Sequence, residues 1–232
     1  MCHVMEKLKS DEILVSTKAI GVNPMDWKIR NGSMQKVFPP LHFPITPGLD
    51  VSGIVEKVGV DVTSIKVGDA VTSFVDSYNE PYSEKVITKE KWSSIFDRTN
   101  NSFVVAAAIP VTGLTAYEIL FRVLKIEYDQ RILIQGGASA VGIFTLQMAK
   151  LAVAHVSVTA SSNHNKLLYD LGADKVFDYH NENFFQNVIK FDAVIDLVGG
   201  KTLERSYPLV KRGGVAVTTN GVPNMNAEKN TI

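Results

Sequence analysis

From Asp11 to about Ile87 the chain alternates with a period of two: Ile13, Val15 and Thr17 fall on one side, and Leu14, Ser16 and Lys18 on the other. That is strand periodicity. Further strand-like pieces at Val51–Val58, Ala70–Val75 and Glu84–Ile87 are separated by turn formers at Pro47-Gly48, Gly53, Gly59 and Gly68-Asp69, which predicts a small, irregular antiparallel barrel. Between Phe103 and Ile126 the spacing becomes mostly helical, interrupted by Pro110 and Gly113, and reads as the hinge to a second domain. Strands then alternate with helical stretches: Arg131–Gln135 with Val141–Lys150, His155–Ala160 with Lys166–Leu171, Lys175–Tyr179 with Asn183–Ile189, and Ala193–Val198 with Thr202–Val210, ending on Val215–Thr219. Repeated β–α units of this kind predict a doubly wound parallel sheet with right-handed crossovers. The expected fold class is therefore α/β, with a barrel over residues 1–112 and the parallel sheet over 113–232.

The length of 232 residues suits two such domains. Hydrophobic residues at 45% and charged residues at 21% exclude a disordered or fibrous chain. Lys plus Arg and Asp plus Glu number 24 each, so no global field attracts nucleic acid or an anionic membrane, and a small ligand is the better expectation. Cys2, the only cysteine, excludes an intramolecular disulfide and a cysteine-rich zinc site. The start of the chain is polar and lacks the apolar stretch of a secretory signal, and the longest apolar runs are too short for a membrane span. A cytoplasmic protein is expected, with an organellar address in a missing N-terminus as the alternative.

The run Ile132-Leu133-Ile134-Gln135-Gly136-Gly137-Ala138-Ser139-Ala140-Val141-Gly142 sets a buried-strand signature directly before small residues and a helix. Small residues at Gly136 through Val141 let backbone N–H groups approach a pyrophosphate, and the helix N-terminus adds partial positive charge. Ser139 stands where the middle glycine of a dinucleotide motif would be, and its hydroxyl offers a further donor. An ordinary β–α turn is the plainer alternative. Its position at the head of successive β–α units favours a dinucleotide.

Which dinucleotide is decided at the end of the second strand, where an acid would bind the ribose 2′-hydroxyl of NAD. Here Ser161-Ser162-Asn163-His164-Asn165-Lys166 follows the strand and contains no acid. A carboxylate roughly 4 Å from a 2′-phosphate would cost about 4 kcal/mol at an effective dielectric of about 20, so its absence favours NADPH. Ser161, Ser162 and Lys166 are the candidate partners of that phosphate, although the two serines also fit a helix N-cap.

At this point the ordered blocks of the chain resemble a known family. Ala19-Ile20-Gly21-Val22-Asn23-Pro24-Met25-Asp26-Trp27-Lys28-Ile29-Arg30, Pro47-Gly48-Leu49-Asp50-Val51-Ser52-Gly53-Ile54-Val55 and Val67-Gly68-Asp69-Ala70-Val71 come first. Pro110-Val111-Thr112-Gly113-Leu114-Thr115-Ala116-Tyr117, the Gly-rich turn and Leu171-Gly172-Ala173-Asp174 follow. Together they resemble the zinc-free quinone-oxidoreductase branch of the medium-chain dehydrogenase/reductases. The resemblance implies a GroES-like barrel followed by a Rossmann sheet, and hydride transfer from NADPH to a quinone or an activated enone, with the substrate between the domains.

In zinc-dependent relatives a Cys would stand at Asn23, a His at Leu49, an acid at Asp50 and a Cys near Ala108, so neither the Cys nor the His ligands are present and no metal is expected. The resemblance implies that Asn23 lies near the nicotinamide and the substrate carbonyl, with a turn residue before Pro24 as its alternative. It places Thr112 and Thr115 toward the nicotinamide, Tyr179 toward the adenosine phosphate, and Val198 and Gly199 at the ribose or pyrophosphate. Lys28 stands where some relatives have a Tyr and is a candidate proton donor if burial lowers its pKa, against a solvated Lys as the alternative. Asp26 and Arg30, four apart, suit a helical ion pair, and Asp192 and Asp196 read as structural hydrogen-bonding residues.

Relatives carry strands before the region of Asp11 and a substantial segment after Thr219, so both domains are expected to be incomplete. A family-like homodimer is set against that missing segment. Two other functions stay open: a catalytically silent NADPH-binding or interaction protein, and a reductase of enoyl thioesters.

Overall fold

The computed structural model describes residues 8–34, 45–75, 81–181 and 189–221. The chain divides into two compact units, 1–111 and 112–232.

In the first unit, β1 (Glu12–Gly21), β2 (Asp50–Val58), β3 (Ala70–Phe74), β4 (Lys85–Lys89) and β5 (Ser93–Ile95) form one antiparallel sheet in the order β4-β1-β2-β3-β5. Register shifts at Leu14/Val15 and Thr17/Ala19 bend the central pair, the irregularity expected of a barrel wall. Ile13, Val15, Val55, Ile65 and Val71 bury one core of this unit, as the period-two pattern requires. Helix α1 (Pro24–Arg30) follows β1, and proline at its start has the fixed φ that a first helical turn needs. Helix α2 (Phe103–Ala107) begins at the N-cap Ser102 and is tied to the sheet, its Phe103 carbonyl accepting the Ser52 hydroxyl at 2.6 Å and its Ala106 carbonyl accepting the Thr72 hydroxyl at 2.6 Å. Pro110 does not break the following helix but opens it: α3 (Pro110–Tyr117) runs through Gly113 and continues as a π-helical turn over Glu118–Val123.

The second unit is a five-stranded parallel sheet. Its strands β6 (Arg131–Gln135), β7 (His155–Ala160), β8 (Lys175–Asp178), β9 (Phe191–Asp196) and β10 (Val210–Thr218) lie in the order β10-β9-β6-β7-β8. The chain order reverses between β6 and β9, the switch point outside which doubly wound sheets bind ligands. Helices α4 (Ala140–Leu151), α5 (Asn165–Asp170) and α6 (Lys201–Ser206) connect the strands. Ile132, Ile134, Val156, Val158, Ile195, Leu146 and Leu168 pack one cluster, while Leu133, Val194, Phe191 and Leu209 pack another. Adjacent β6 residues thus enter different cores, which is why the strand reads as a continuous apolar run. Each such side chain contributes roughly 1.5–3 kcal/mol by burial. The helix expected over 183–189 falls almost wholly outside the described residues. Strand β10 starts earlier than the expected 215, and α6 ends in a 3-10 turn over Tyr207–Leu209.

Candidate functional site

The Gly-rich turn leaves β6 at its carboxyl end. Gly136 sits at φ 82°, a backbone conformation that L side chains resist. Its N–H donates to the Thr159 hydroxyl at 3.1 Å, and the Gly137 N–H donates to the Thr159 carbonyl at 2.9 Å, fastening the turn to β7. Ser139 is the N-cap of α4, its Oγ accepting the Gly142 N–H at 3.1 Å, so the hydroxyl hydrogen is left to donate elsewhere. A Cβ on Gly142 would stand 2.5 Å from the Gly136 carbonyl oxygen and 2.7 Å from that of Gly137, so only glycine lets the helix start this close to the strand. The first N–H groups of α4, those of Ala140 and Val141, have no carbonyl within the helix to bond, which suits them to an anionic ligand.

Above the turn is a cavity of about 590 Å³. Its floor is Gln135, Gly136, Ala138, Ser139 and Thr159. On the β7–β8 side it is bounded by Ala160, Ser161, His164 and Tyr179, and on the β9 side by Val198, Lys201, Thr202 and Arg205. Gln135, only 1% exposed, connects the two sides: its Nε2 donates to Ser206 Oγ on α6 at 3.1 Å and its Oε1 accepts the Thr159 hydroxyl at 2.8 Å.

Among the described lining residues are two cations, Lys201 and Arg205, and no acid. Two acids nearby in sequence, Asp178 and Asp196, are engaged elsewhere, and Glu204 is exposed on α6. Asp196 accepts the Gly199 N–H at 2.8 Å and the Thr218 hydroxyl at 3.0 Å. Asp178 accepts the His180 N–H at 2.9 Å, and the backbone and ring of His180 hold its carboxyl below the usual range. The shape and charge fit a phosphate-bearing dinucleotide.

Of the residues singled out in the sequence, Gly136, Ala138, Ser139, Ser161, Tyr179 and Val198 line this cavity. Gly137, Ala140, Val141, Ser162 and Gly199 neighbour it in the chain without lining it, and the Gly137 and Gly199 N–H groups are engaged within the protein. Lys166 is also outside it, with its Nζ 2.6 Å from Asp170 one helical turn on. Thr112 and Thr115 sit three positions apart on α3 and do not line it either. Sequence reasoning passed over Thr159, His164, Lys201, Thr202 and Arg205. The signal available was the pair of cations four apart just after Gly199-Gly200.

Asn23 and Lys28 belong to the first unit. Asn23 caps α1 and is 6% exposed, with its N–H donating to Asp26 at 2.7 Å and its side-chain amide to Asp50 at 2.8 Å. Tyr82 donates to the same Asp26 oxygen at 2.6 Å, while the other, Asp26 Oδ1, is buried without a partner. Asp26 therefore serves the helix cap and Tyr82, and among the described residues it forms no ion pair with Arg30, contrary to the expectation from their spacing. Asp50, 1% exposed, also accepts the Val111 N–H at 2.9 Å, and burial pushes its carboxyl up to about 6 despite the hydrogen bonds from Asn23 and Val111. The Tyr82 hydroxyl is pushed up by burial and by Asp26. Lys28 is half-buried on α1, its Nζ 6.0 Å from the centroid of the Trp27 ring.

Comparison with known proteins agrees with this geometry. Residues 9–92 match the alcohol dehydrogenase GroES-like domain and residues 140–231 the family described as zinc-binding dehydrogenase. The chain is 35% identical to the 2-methylene-furan-3-one reductase of Solanum lycopersicum over 92% of its own length and 56% of that protein's. It is 31% identical to a chloroplast envelope quinone oxidoreductase homolog of Arabidopsis thaliana, over 93% of this chain and 68% of the relative. The crystal structure of Escherichia coli quinone oxidoreductase complexed with NADPH superposes with a TM-score of 0.84 at 28% identity, covering 100% of this chain and 73% of that one. The chain thus spans little more than half of the first of these relatives. With a GroES-like first unit and a Rossmann sheet carrying the Gly-rich turn, the chain belongs to the quinone-oxidoreductase-like branch of the medium-chain dehydrogenase/reductase superfamily.

Proposed function

We propose that the protein is an NADPH-dependent, zinc-independent reductase of quinones or activated enones, with residues 1–112 as the substrate and catalytic domain and 113–232 as the cofactor domain. One observation carries this reading: the cavity over the Gly-rich turn is lined by Lys201 and Arg205 and by no acid among the described residues. The names of the similar proteins, a furanone reductase and quinone oxidoreductases, support the substrate class.

NADPH would supply the hydride. The turn at Gly136–Val141, Ser139, Ser161 and Tyr179 would hold and orient it, and Asn23, fixed by Asp50, would donate to the substrate carbonyl. Lys28 is the proposed proton source for an enone, and solvent suffices for a quinone. Zinc independence is supported by Asn23 and Leu49 at the positions of metal ligands in zinc-dependent relatives, and among the described residues no group of three or more His, Cys, Asp or Glu is arranged to hold an ion. No helix among the described residues is long and apolar enough to cross a membrane. A cytoplasmic location is part of the proposal, to be decided by fractionation because one relative is named for the chloroplast envelope.

Oxidation of NADPH by the purified chain, followed with a quinone and with an enone and repeated with NADH, tests the reading. Turnover with NADPH in metal-free buffer supports it. Saturable NADPH binding without turnover of either substrate would instead identify a silent binding protein.

A further inference from the structure

On the reading that the cavity takes a dinucleotide, we propose that Gln135, Thr159 and Ser206 are positioning residues. They form a one-way line of buried hydrogen bonds that sets α6 against the Gly-rich turn and so holds the site in its binding geometry.

The Gly136 N–H donates to the Thr159 hydroxyl at 3.1 Å, and that hydroxyl donates to Gln135 Oε1 at 2.8 Å. Gln135 Nε2 then donates to the Ser206 hydroxyl at 3.1 Å, which donates in turn to the Thr202 carbonyl at 2.7 Å. An N–H can only donate and a carbonyl can only accept, so the two ends dictate the direction of every bond between them. Thr159 gives its one hydrogen to Gln135 and Ser206 gives its one to Thr202. The Gln135 amide then has a single orientation that satisfies both neighbours. Gln135 is 1% exposed, Thr159 2% and Ser206 0%, so bulk water does not replace a lost partner.

The line matters because the sequence of α6 does little to hold the helix by itself. Lys201–Ser206 is six residues, well below the length at which a helix is stable alone, and Gly200 before it has no side chain to cap the first turn. The buried residues of α6 are Leu203 and Ser206. Lys201, Thr202 and Arg205 of the same helix line the cavity, and Gly136 belongs to its floor. The bonds through Gln135 therefore join floor and wall from behind. A site whose walls already stand in place needs less ordering when a ligand enters, so cutting the line should lower affinity as well as stability. Ser206 separates this effect from direct contact, since it does not line the cavity.

The test is titration of the chain and its variants with NADPH and with NADH. Ser206→Ala and Thr159→Val should each weaken NADPH by about fivefold, the worth of one net hydrogen bond, and weaken NADH by the same factor, because the line acts on the framework that both nucleotides use. The double variant should bind about as well as the weaker single one, since either cut interrupts the same line. Thr159→Ser, which keeps the hydroxyl, should stay within about twofold of wild type. A Ser206→Ala chain that loses stability in denaturant yet binds NADPH as wild type does, or a double variant whose losses multiply, would overturn the inference and leave the cofactor reading intact. Wild-type chain that binds neither nucleotide would remove both. Should Ser206→Ala not fold, amide hydrogen exchange of the wild type decides: the amides of Gly136, Leu203 and Ser206 should slow together when NADPH binds, and slowing at Gly136 without slowing at Ser206 overturns the inference.

Discussion

Each unit of the chain brings polar side chains together, with opposite results. In the first, Asn23, Asp26, Asp50 and Tyr82 bond mainly to one another, with separations of 2.6–2.8 Å. In the second, Ser161, Lys201, Thr202 and Arg205 bound a cavity of about 590 Å³. The first arrangement fixes a helix cap and the orientation of one amide. The second lines an open cavity. Buried polar groups normally find partners, so burial with mutual pairing marks the first as a structural cluster, while exposed cations around a cavity mark the second as a candidate binding site.

The largest effect expected from this contrast concerns Asp50. Its folded-state carboxyl, pushed up to about 6 from 3.8, binds a proton more tightly than in the unfolded chain. Its contribution is therefore favourable at low pH and is lost as pH rises from about 4 through about 6. Relative to the non-titrating Asp50→Asn variant, the wild type should lose up to about 3 kcal/mol of unfolding free energy across that interval. Denaturant unfolding of both proteins at a series of pH values measures this, and a difference independent of pH would contradict the account. Asn23→Ala removes the amide that Asp50 accepts and should cost about 2–3 kcal/mol in the same assay at neutral pH.

The matching break in the second unit is Gly142→Ala. The added Cβ meets two carbonyl oxygens within 2.7 Å, and the resulting overpacking should weaken NADPH binding by roughly 10- to 100-fold. An affinity within a factor of about two of wild type would mean that the turn geometry does not set the cofactor site. Smallest is Tyr82→Phe, expected to cost about 1 kcal/mol by removing one donor from Asp26 while leaving NADPH affinity unchanged. A large change in affinity there would erase the distinction between the two clusters.

Much of this was legible in the chain. Strands β6 and β7 begin and end where the sequence places them, β6 as the continuous apolar run of a strand buried on both faces and β7 as an alternation of Val156 and Val158 with Ser157 and Thr159. The three residues of β5 and the seven of α1 are too short for any periodicity to declare them. In sequence Gly113 reads as an interruption, yet α3 passes through it, since one glycine costs a helix only about 1 kcal/mol. In the candidate site, the turn and Ser161 follow from local pattern, and Tyr179 and Val198 from the family resemblance. Lys201 and Arg205 do not, because their relevance appears only once sheet order sets α6 across β6 from Ser161. The pairing of Lys166 with Asp170 is legible in the sequence as opposite charges four residues apart on a helix.

The central claim is that the cavity at the carboxyl edge of the parallel sheet is a NADPH site. Fluorescence titration of the purified chain with NADPH and NADH, with circular dichroism confirming that it is folded, tests this most directly. Saturable binding of one NADPH per chain, tighter than NADH and lost in Gly142→Ala, is the predicted result. A folded chain that shows no saturable NADPH binding, or binds NADH more tightly, would contradict it.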